Sequence, residues 1–167
     1  MQITLANPRG FCAGVDRAID YAYETRHKFP DRNIFLVGEI IHNPHVNQRM
    51  REMEIHVIYP DDEGDFDFDH IQPTDVVIMP AFGVALGDFH RLEQIGCILV
   101  DTTCGSVLLV WKRVESYARD GFTAVIHGKY HHEESRATAS QARKYEGGQY
   151  LIVRDMLEAK LLCDYIT

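Results

Sequence analysis

Short apolar runs recur along the chain, and polar turns separate each run from a segment whose apolar residues have helical spacing. A short and continuously apolar run is typical of a strand that is buried on both faces, as in a parallel sheet. These runs predict strands at 3–6, 34–37, 55–58, 76–79, 98–100, 122–126 and 150–153.

Between the strands, apolar residues at positions i, i+3, i+4 and i+7 predict amphipathic helices. They predict helices over 14–28, from Pro44, over 85–94, after Cys104, up to about residue 142 and close to the C-terminus. The acidic segment 61–69 is predicted to be a solvated loop. Because strands and helices alternate, the predicted fold class is α/β, with parallel sheets flanked by helices.

Several residues that could bind a ligand lie in the loops that follow predicted strands. Binding sites in parallel sheets lie beyond the carboxyl ends of the strands. The residues in such positions are Cys12, His42, Phe82, Cys104 and His132. A thiol at a helix start ionises more easily, because the first backbone N–H groups lack partners, and the thiolate is the form that binds metal. Taken alone, each cysteine also fits a buried residue in a strand-to-helix turn.

Composition narrows the function classes. The net charge of −8 argues against a protein that binds nucleic acid by electrostatic attraction. No run of about 18 apolar residues is present, so no membrane-spanning segment is predicted. The first residues do not resemble a signal peptide, so we expect a cytoplasmic location, where disulfides are rare. The four cysteines form no Cys-x-x-Cys zinc motif, and they are therefore core residues or ligands that the fold brings together. Cys97, at the start of a predicted strand, is expected to point inward, and Cys163, beside Leu161 and Leu162, is expected to be a buried core residue.

A histidine-rich loop around residues 127–132 raises the question of zinc. The zinc-protease pattern His-Glu-x-x-His fails at His132, because Arg136 stands where the second histidine should be. A histidine-rich loop is more commonly a solvated one, and the residues alone do not decide between these alternatives.

Four separated motifs, in order, closely resemble the family of 4-hydroxy-3-methylbut-2-enyl diphosphate reductases, and the later ones resemble its plant and cyanobacterial branch. The motifs are at 7–19, 39–44, 101–104 and 127–140. The resemblance implies three α/β lobes around a central 4Fe–4S cluster. By this match the chain holds the first lobe, 1–101, with the Cys12 loop, and an incomplete second lobe, 102–167.

The resemblance also implies roles for single residues. Cys12 and Cys104 match the first two cluster ligands, His42 and His132 match histidines that bind the substrate diphosphate, and Glu134 matches the carboxylate that delivers protons. The implied reaction is the reductive dehydroxylation of 4-hydroxy-3-methylbut-2-enyl diphosphate to isopentenyl and dimethylallyl diphosphates. It is the final step of the methylerythritol phosphate route to isoprenoids, with ferredoxin or flavodoxin as a suitable electron donor.

The chain departs from the family pattern in three places. Phe82 stands where many members have histidine, and Gly105 and Ser106 replace the usual residues after the second cysteine. The third cysteine ligand and the third lobe are absent, so the chain alone is expected to be inactive and to hold no stable cluster. Two alternatives stay open: a non-catalytic truncated α/β module that binds phosphate compounds, and a metal scaffold assembled between chains.

Overall fold

Helices and strands alternate along almost the whole chain. The computed structural model describes residues 2–7 and 10–166. The strands are β1 (Ile34–Val37), β2 (Ile55–Ile58), β3 (Val76–Met79), β4 (Ile98–Asp101), β5 (Ala124–His127) and β6 (Tyr150–Val153). The helices are α1 (Ala13–Lys28), α2 (Pro44–Glu52), α3 (Leu86–Ile95), α4 (Gly105–Arg119), α5 (Glu133–Ala142) and α6 (Met156–Ile166). The predicted α/β class is confirmed.

The first four strands form a parallel sheet in the order β2-β1-β3-β4. The four residues of β3 are all buried, since the strand is central and both faces of the sheet are covered. Ile34 and Leu36 of β1 point into a core that they share with Ala18 of α1. Val37 belongs to a second core, which includes Leu92 of α3. Helices therefore cover both faces, which is why these strands read as continuous apolar runs.

The last two strands form a separate parallel pair, β5-β6. Helix α5 packs on this pair and also against α3 and α4. Its buried face carries small residues that allow close approach, and Ser140 Oγ accepts a hydrogen bond of 3.0 Å from the Leu86 amide. The Trp111 indole donates to Thr138 Oγ1 at 3.2 Å. Helix α5 thus connects the two sheets, and the division of the chain at residue 101 stays a prediction.

The strand predicted at 3–6 is wrong. Residues 2–6 have no regular structure, and the side chains of Ile3 and Leu5 are 73% and 68% exposed. An apolar run becomes a strand only where a neighbouring strand edge accepts its hydrogen bonds, and no ladder in the described residues includes this segment. The motif residues Pro8 and Arg9 lie outside the described residues.

Two further predictions need correction. The strand predicted at 122–126 begins at Ala124, because the Phe122 amide donates to Tyr117 O and so still belongs to the turn that ends α4. The segment 61–69 is not solvated throughout, since the rings of Phe66 and Phe68 are buried in the second core. Among the described residues, no helix combines the length and the apolar character needed to cross a membrane.

Candidate functional site

Cys12 and Cys104 occupy equivalent positions at the starts of two helices. Each is the N-cap residue, Cys12 of α1 and Cys104 of α4, and each has an extended backbone. The Cys12 carbonyl accepts from the Asp16 amide and the Cys104 carbonyl from the Leu108 amide, both at 3.0 Å. Neither side chain makes a capping hydrogen bond. Both thiols therefore lie at the positive ends of helix dipoles, and neither is used to cap its helix.

The two helix starts meet at Gly14. A Cβ atom added to Gly14 would overlap the Sγ atom of Cys104, so the absence of a side chain lets this thiol lie against the first turn of α1. The Cys104 amide donates to Ala81 O at 2.9 Å, which ties the second loop to the end of β3. Cys12 is exposed and Cys104 is half-buried. The fold thus brings the Cys104 thiol to the start of the helix that Cys12 caps.

The other two cysteines are placed differently. Cys97 packs beside the second core, its Sγ atom lies 3.6 Å from Leu92 O, and burial raises the pKa of its thiol. The inward orientation expected from the sequence is confirmed. Cys163 was expected to be a buried core residue, and this is wrong: it is exposed on α6, a helix with no buried residue.

His42 and His132 lie next to each other although 90 positions separate them in the chain, and their Nε2 atoms are 3.0 Å apart. His42 lies in the loop between β1 and α2. The Asn43 side chain fixes the start of α2, since it accepts from the His45 and Val46 amides. His132 is the N-cap of α5, and its Nδ1 atom accepts from the Glu134 amide at 3.3 Å.

The surrounding hydrogen bonds assign the protons of this histidine pair. Because the Glu134 amide donates to His132 Nδ1, the proton of His132 is on Nε2. Glu39 Oε2 lies 3.3 Å from His42 Nδ1 and accepts a hydrogen bond from its N–H, so in the neutral imidazole His42 Nε2 carries a lone pair. His132 Nε2–H therefore donates to His42 Nε2, and the pair holds a single proton between its two facing nitrogens.

Phe82 forms the apolar wall of this pair. Its ring stacks on His42 with centroids 4.4 Å apart and planes at 23°, and its centroid lies 6.1 Å from that of His132. A phenyl ring cannot donate to an anion, so this departure from the family pattern exchanges a hydrogen-bonding group for one that orients His42.

Besides Glu39, the carboxylate of Glu133 also lies near the histidine pair, and sequence reasoning missed it. One ligand atom from each of His42, His132 and Glu133 lies within 4.8 Å of the others. A Cβ added to Gly38, whose φ is +69°, would lie 3.1 Å from Glu133 Oε1, so this glycine leaves room for the carboxylate. Glu134, the predicted proton donor, is exposed and contacts His132 through its amide. The acidic pair at the start of α5 was the available signal, but sequence alone does not show which carboxylate turns inward.

Two depressions could be considered for a ligand. One, of about 460 Å³, borders His132 and is lined by the cations Lys129 and Arg154. A larger one, of about 670 Å³, lies at the amino ends of β1 and β2. Its Arg26 guanidinium already donates to several backbone carbonyls, among them Met53 O at 2.8 Å. Of these two, the depression beside His132 lies at the carboxyl ends of strands, here β5 and β6, where sites in such folds lie.

Comparison with known proteins gives consistent results. A family profile described as LytB protein matches residues 3–164. The chain is 48% identical, over 166 residues, to the chloroplastic 4-hydroxy-3-methylbut-2-enyl diphosphate reductase of Botryococcus braunii. This match covers 99% of the present chain and 32% of the relative. It is 49% identical, over 164 residues, to the 4-hydroxy-3-methylbut-2-enyl diphosphate reductase of Thermosynechococcus vestitus, and this match covers 98% of the present chain and 39% of that relative. These relatives agree with the predicted branch.

Solved structures agree as well. A structure titled as (E)-4-hydroxy-3-methyl-but-2-enyl diphosphate reductase superposes with a TM-score of 0.74 at 26% identity, over 93% of this chain and 52% of that one. The Plasmodium falciparum reductase superposes with a TM-score of 0.77 at 25% identity, over 92% and 45%. The chain spans 32% and 39% of the length of the two sequence relatives named above. On this evidence the resemblance seen in the motifs is confirmed, and the chain belongs to the LytB protein family.

Proposed function

We propose that this chain forms the part of a 4-hydroxy-3-methylbut-2-enyl diphosphate reductase that carries two cluster cysteines and two diphosphate-binding histidines. The observation that carries the proposal is the His42–His132 pair, whose Nε2 atoms face each other at 3.0 Å at the carboxyl ends of the strands. The pair needs residues from two distant parts of the chain, and it forms because α5 packs against α3 and α4.

The histidine pair suits a diphosphate for electrostatic reasons. Imidazole nitrogens donate to phosphate oxygens, and the first amides of α5 add the positive end of a helix dipole. Lys129 and Arg154 place two further cations beside His132. An incoming diphosphate would break the hydrogen bond between His42 and His132, and each nitrogen would then face a phosphate oxygen.

The two N-cap cysteines suit an iron–sulfur cluster. Such clusters are held by cysteine thiolates, and the dipoles of α1 and α4 stabilise the ionised form. We propose Cys12 and Cys104 as two ligands of a 4Fe–4S cluster, whose role when bound is to pass electrons and to polarise the substrate hydroxyl. Cys97 does not fit as a further ligand, because burial raises the pKa of its thiol and its Sγ atom faces Leu92 O.

Glu134 is the proposed proton carrier. Its side chain is exposed on the first turn of α5, one residue beyond Glu133, and its amide donates to His132 Nδ1. Ferredoxin or flavodoxin as electron donor, and a cytoplasmic location, stay predictions.

The test uses a longer form of the protein that has the full length of its relatives. Cys12→Ser and Cys104→Ser should each abolish the stable cluster and turnover. Glu134→Gln should keep the cluster and substrate binding but lose most of kcat, since an amide cannot pass a proton. Unchanged iron content in both cysteine variants would refute the ligand assignment and favour the phosphate-binding module. Normal turnover of Glu134→Gln would refute the proton role alone.

A further inference from the structure

The strongest unassigned cluster of potential ligands is the trio His42, His132 and Glu133. We propose that these three side chains bind one divalent transition-metal ion of the zinc class. The three ligand atoms already lie within 4.8 Å of one another, and the two histidine nitrogens are only 3.0 Å apart. The proposal goes beyond the reductase function and stands whether or not the histidines also bind a diphosphate.

The spacing of the nitrogens fits an ion between them. Zinc binds imidazole nitrogen at about 2.0–2.1 Å, so an ion at that distance from both Nε2 atoms would subtend an angle of about 94°. A widening of the His42–His132 separation by about 0.3 Å would bring this angle to the tetrahedral value. Side-chain rotation achieves such a change without moving the backbone, and the Glu133 carboxylate then supplies the third ligand.

Neighbouring groups hold the ligands in a suitable state. Glu39 Oε2 accepts a hydrogen bond of 3.3 Å from His42 Nδ1–H, which leaves Nε2 of the neutral ring free to bind a metal. A carboxylate behind a metal-bound histidine is the usual supporting contact in zinc sites. The Phe82 ring stacked on His42 fixes the plane of the imidazole.

Metal binding changes the hydrogen bonds of His132. Its Nε2 proton must leave, and its Nδ1 atom gives up the contact with the Glu134 amide. That hydrogen bond is 3.3 Å long and therefore weak: it selects the tautomer in the free protein, but a metal–nitrogen bond can replace it. The ion would occupy the nitrogens proposed to bind the diphosphate, and a metal-loaded chain could not use them for that purpose.

This site differs from the zinc protease pattern rejected from the sequence. That pattern requires two histidines on one helix turn, whereas here the ligands come from the β1–α2 loop and from the start of α5. The neighbouring His127 and His131 are exposed and do not belong to the group.

The experiment uses the 167-residue chain in a background without the accessible thiols, because thiolates bind these metals tightly. The background carries serine in place of Cys12, Cys104 and Cys163. Cobalt(II) is titrated and followed by its visible absorption, and zinc(II) is titrated by calorimetry. We expect one ion per chain, with a spectrum that shows nitrogen and oxygen ligation. A background protein that binds neither ion would overturn the proposal.

Each ligand is then removed in turn. His42→Ala and His132→Ala should each weaken binding by more than about 100-fold, since even outer contacts to a metal ligand contribute about 10–100-fold. Glu133→Gln should weaken it by at least about tenfold, because an amide oxygen is a poorer ligand than a carboxylate. Full affinity in any of the three variants would overturn the three-ligand site.

Two exposed histidines next to the ligands serve as matched controls. His45→Ala, three residues after His42, and His131→Ala, beside His132, should bind with the affinity of the background protein. Circular dichroism and thermal unfolding of all variants show that they are folded. A loss in the control variants as large as in the ligand variants would show binding to scattered histidines, and would overturn the proposal.

Discussion

Diphosphate binding at the histidine pair should take up one proton. In the free protein a single proton lies between His132 Nε2 and His42 Nε2, because the outer nitrogens are fixed by the Glu134 amide and by Glu39. A diphosphate that accepts from both Nε2 atoms needs two N–H donors. The second proton must come from solvent, so the complex holds one proton more than the separate partners.

The sign and size of the effect follow from this count. Because the complex binds more protons than the separate partners, affinity falls as the pH rises. One proton per ligand gives a tenfold change in Kd per pH unit, about 1.4 kcal/mol. The cations Lys129 and Arg154 beside His132 contribute attraction that is separate from this proton count.

Calorimetry measures the proton count directly. Isopentenyl diphosphate is titrated into the protein in two buffers of different ionisation enthalpy, and the difference in heat gives the protons taken up. His42→Asn is the diagnostic variant, since its amide N–H donates without taking up a proton. It should bind more weakly near neutral pH, because its side chain is shorter and uncharged, and its pH slope should be close to zero. Tight binding by the unmodified chain with no proton uptake would refute the assigned hydrogen-bond chain.

Two other predictions concern stability, measured by urea unfolding. Gly14→Ala should destabilise the chain by about 1–3 kcal/mol, since its Cβ would overlap Cys104 Sγ. Gly87→Ala in α3, where nothing lies within 4 Å, should instead stabilise it by about 0.5–1 kcal/mol; equal effects of the two would contradict the close contact at Gly14. Burial raises the pKa of the Asp88 carboxyl more than Arg136 and Arg91 lower it, so the parent should lose stability as the pH rises from about 4 through that raised pKa. Asp88→Asn should remove this loss of stability. If the parent protein instead becomes more stable relative to the variant as the pH rises, the effect of the two arginines exceeds that of burial.

The sequence carried most of the fold because its signals are local. Strands such as 34–37 and 76–79 are buried on both faces, so every residue is apolar and the run ends where the strand ends. The run at 3–6 has the same local pattern, but a strand also requires a neighbouring strand to accept its hydrogen bonds, and the local sequence does not show whether such a neighbour is present. The two phenylalanines of the acidic loop were missed for a related reason, since charged neighbours on a loop do not reveal that every second residue faces a core.

The candidate site divides along the same line. The cysteines could be found because each follows a strand and opens a helix, a pattern readable over a few residues. The pairing of His42 with His132 and the inward position of Glu133 depend on how α5 packs against α3 and α4, through contacts such as Leu86 to Ser140. Small side chains on α5 allow that approach, and small residues give no directional signal in a sequence. The motifs therefore identify which residues matter, whereas the tautomer of each histidine is decided by Glu39 and the Glu134 amide, through contacts that form only once α5 is in place.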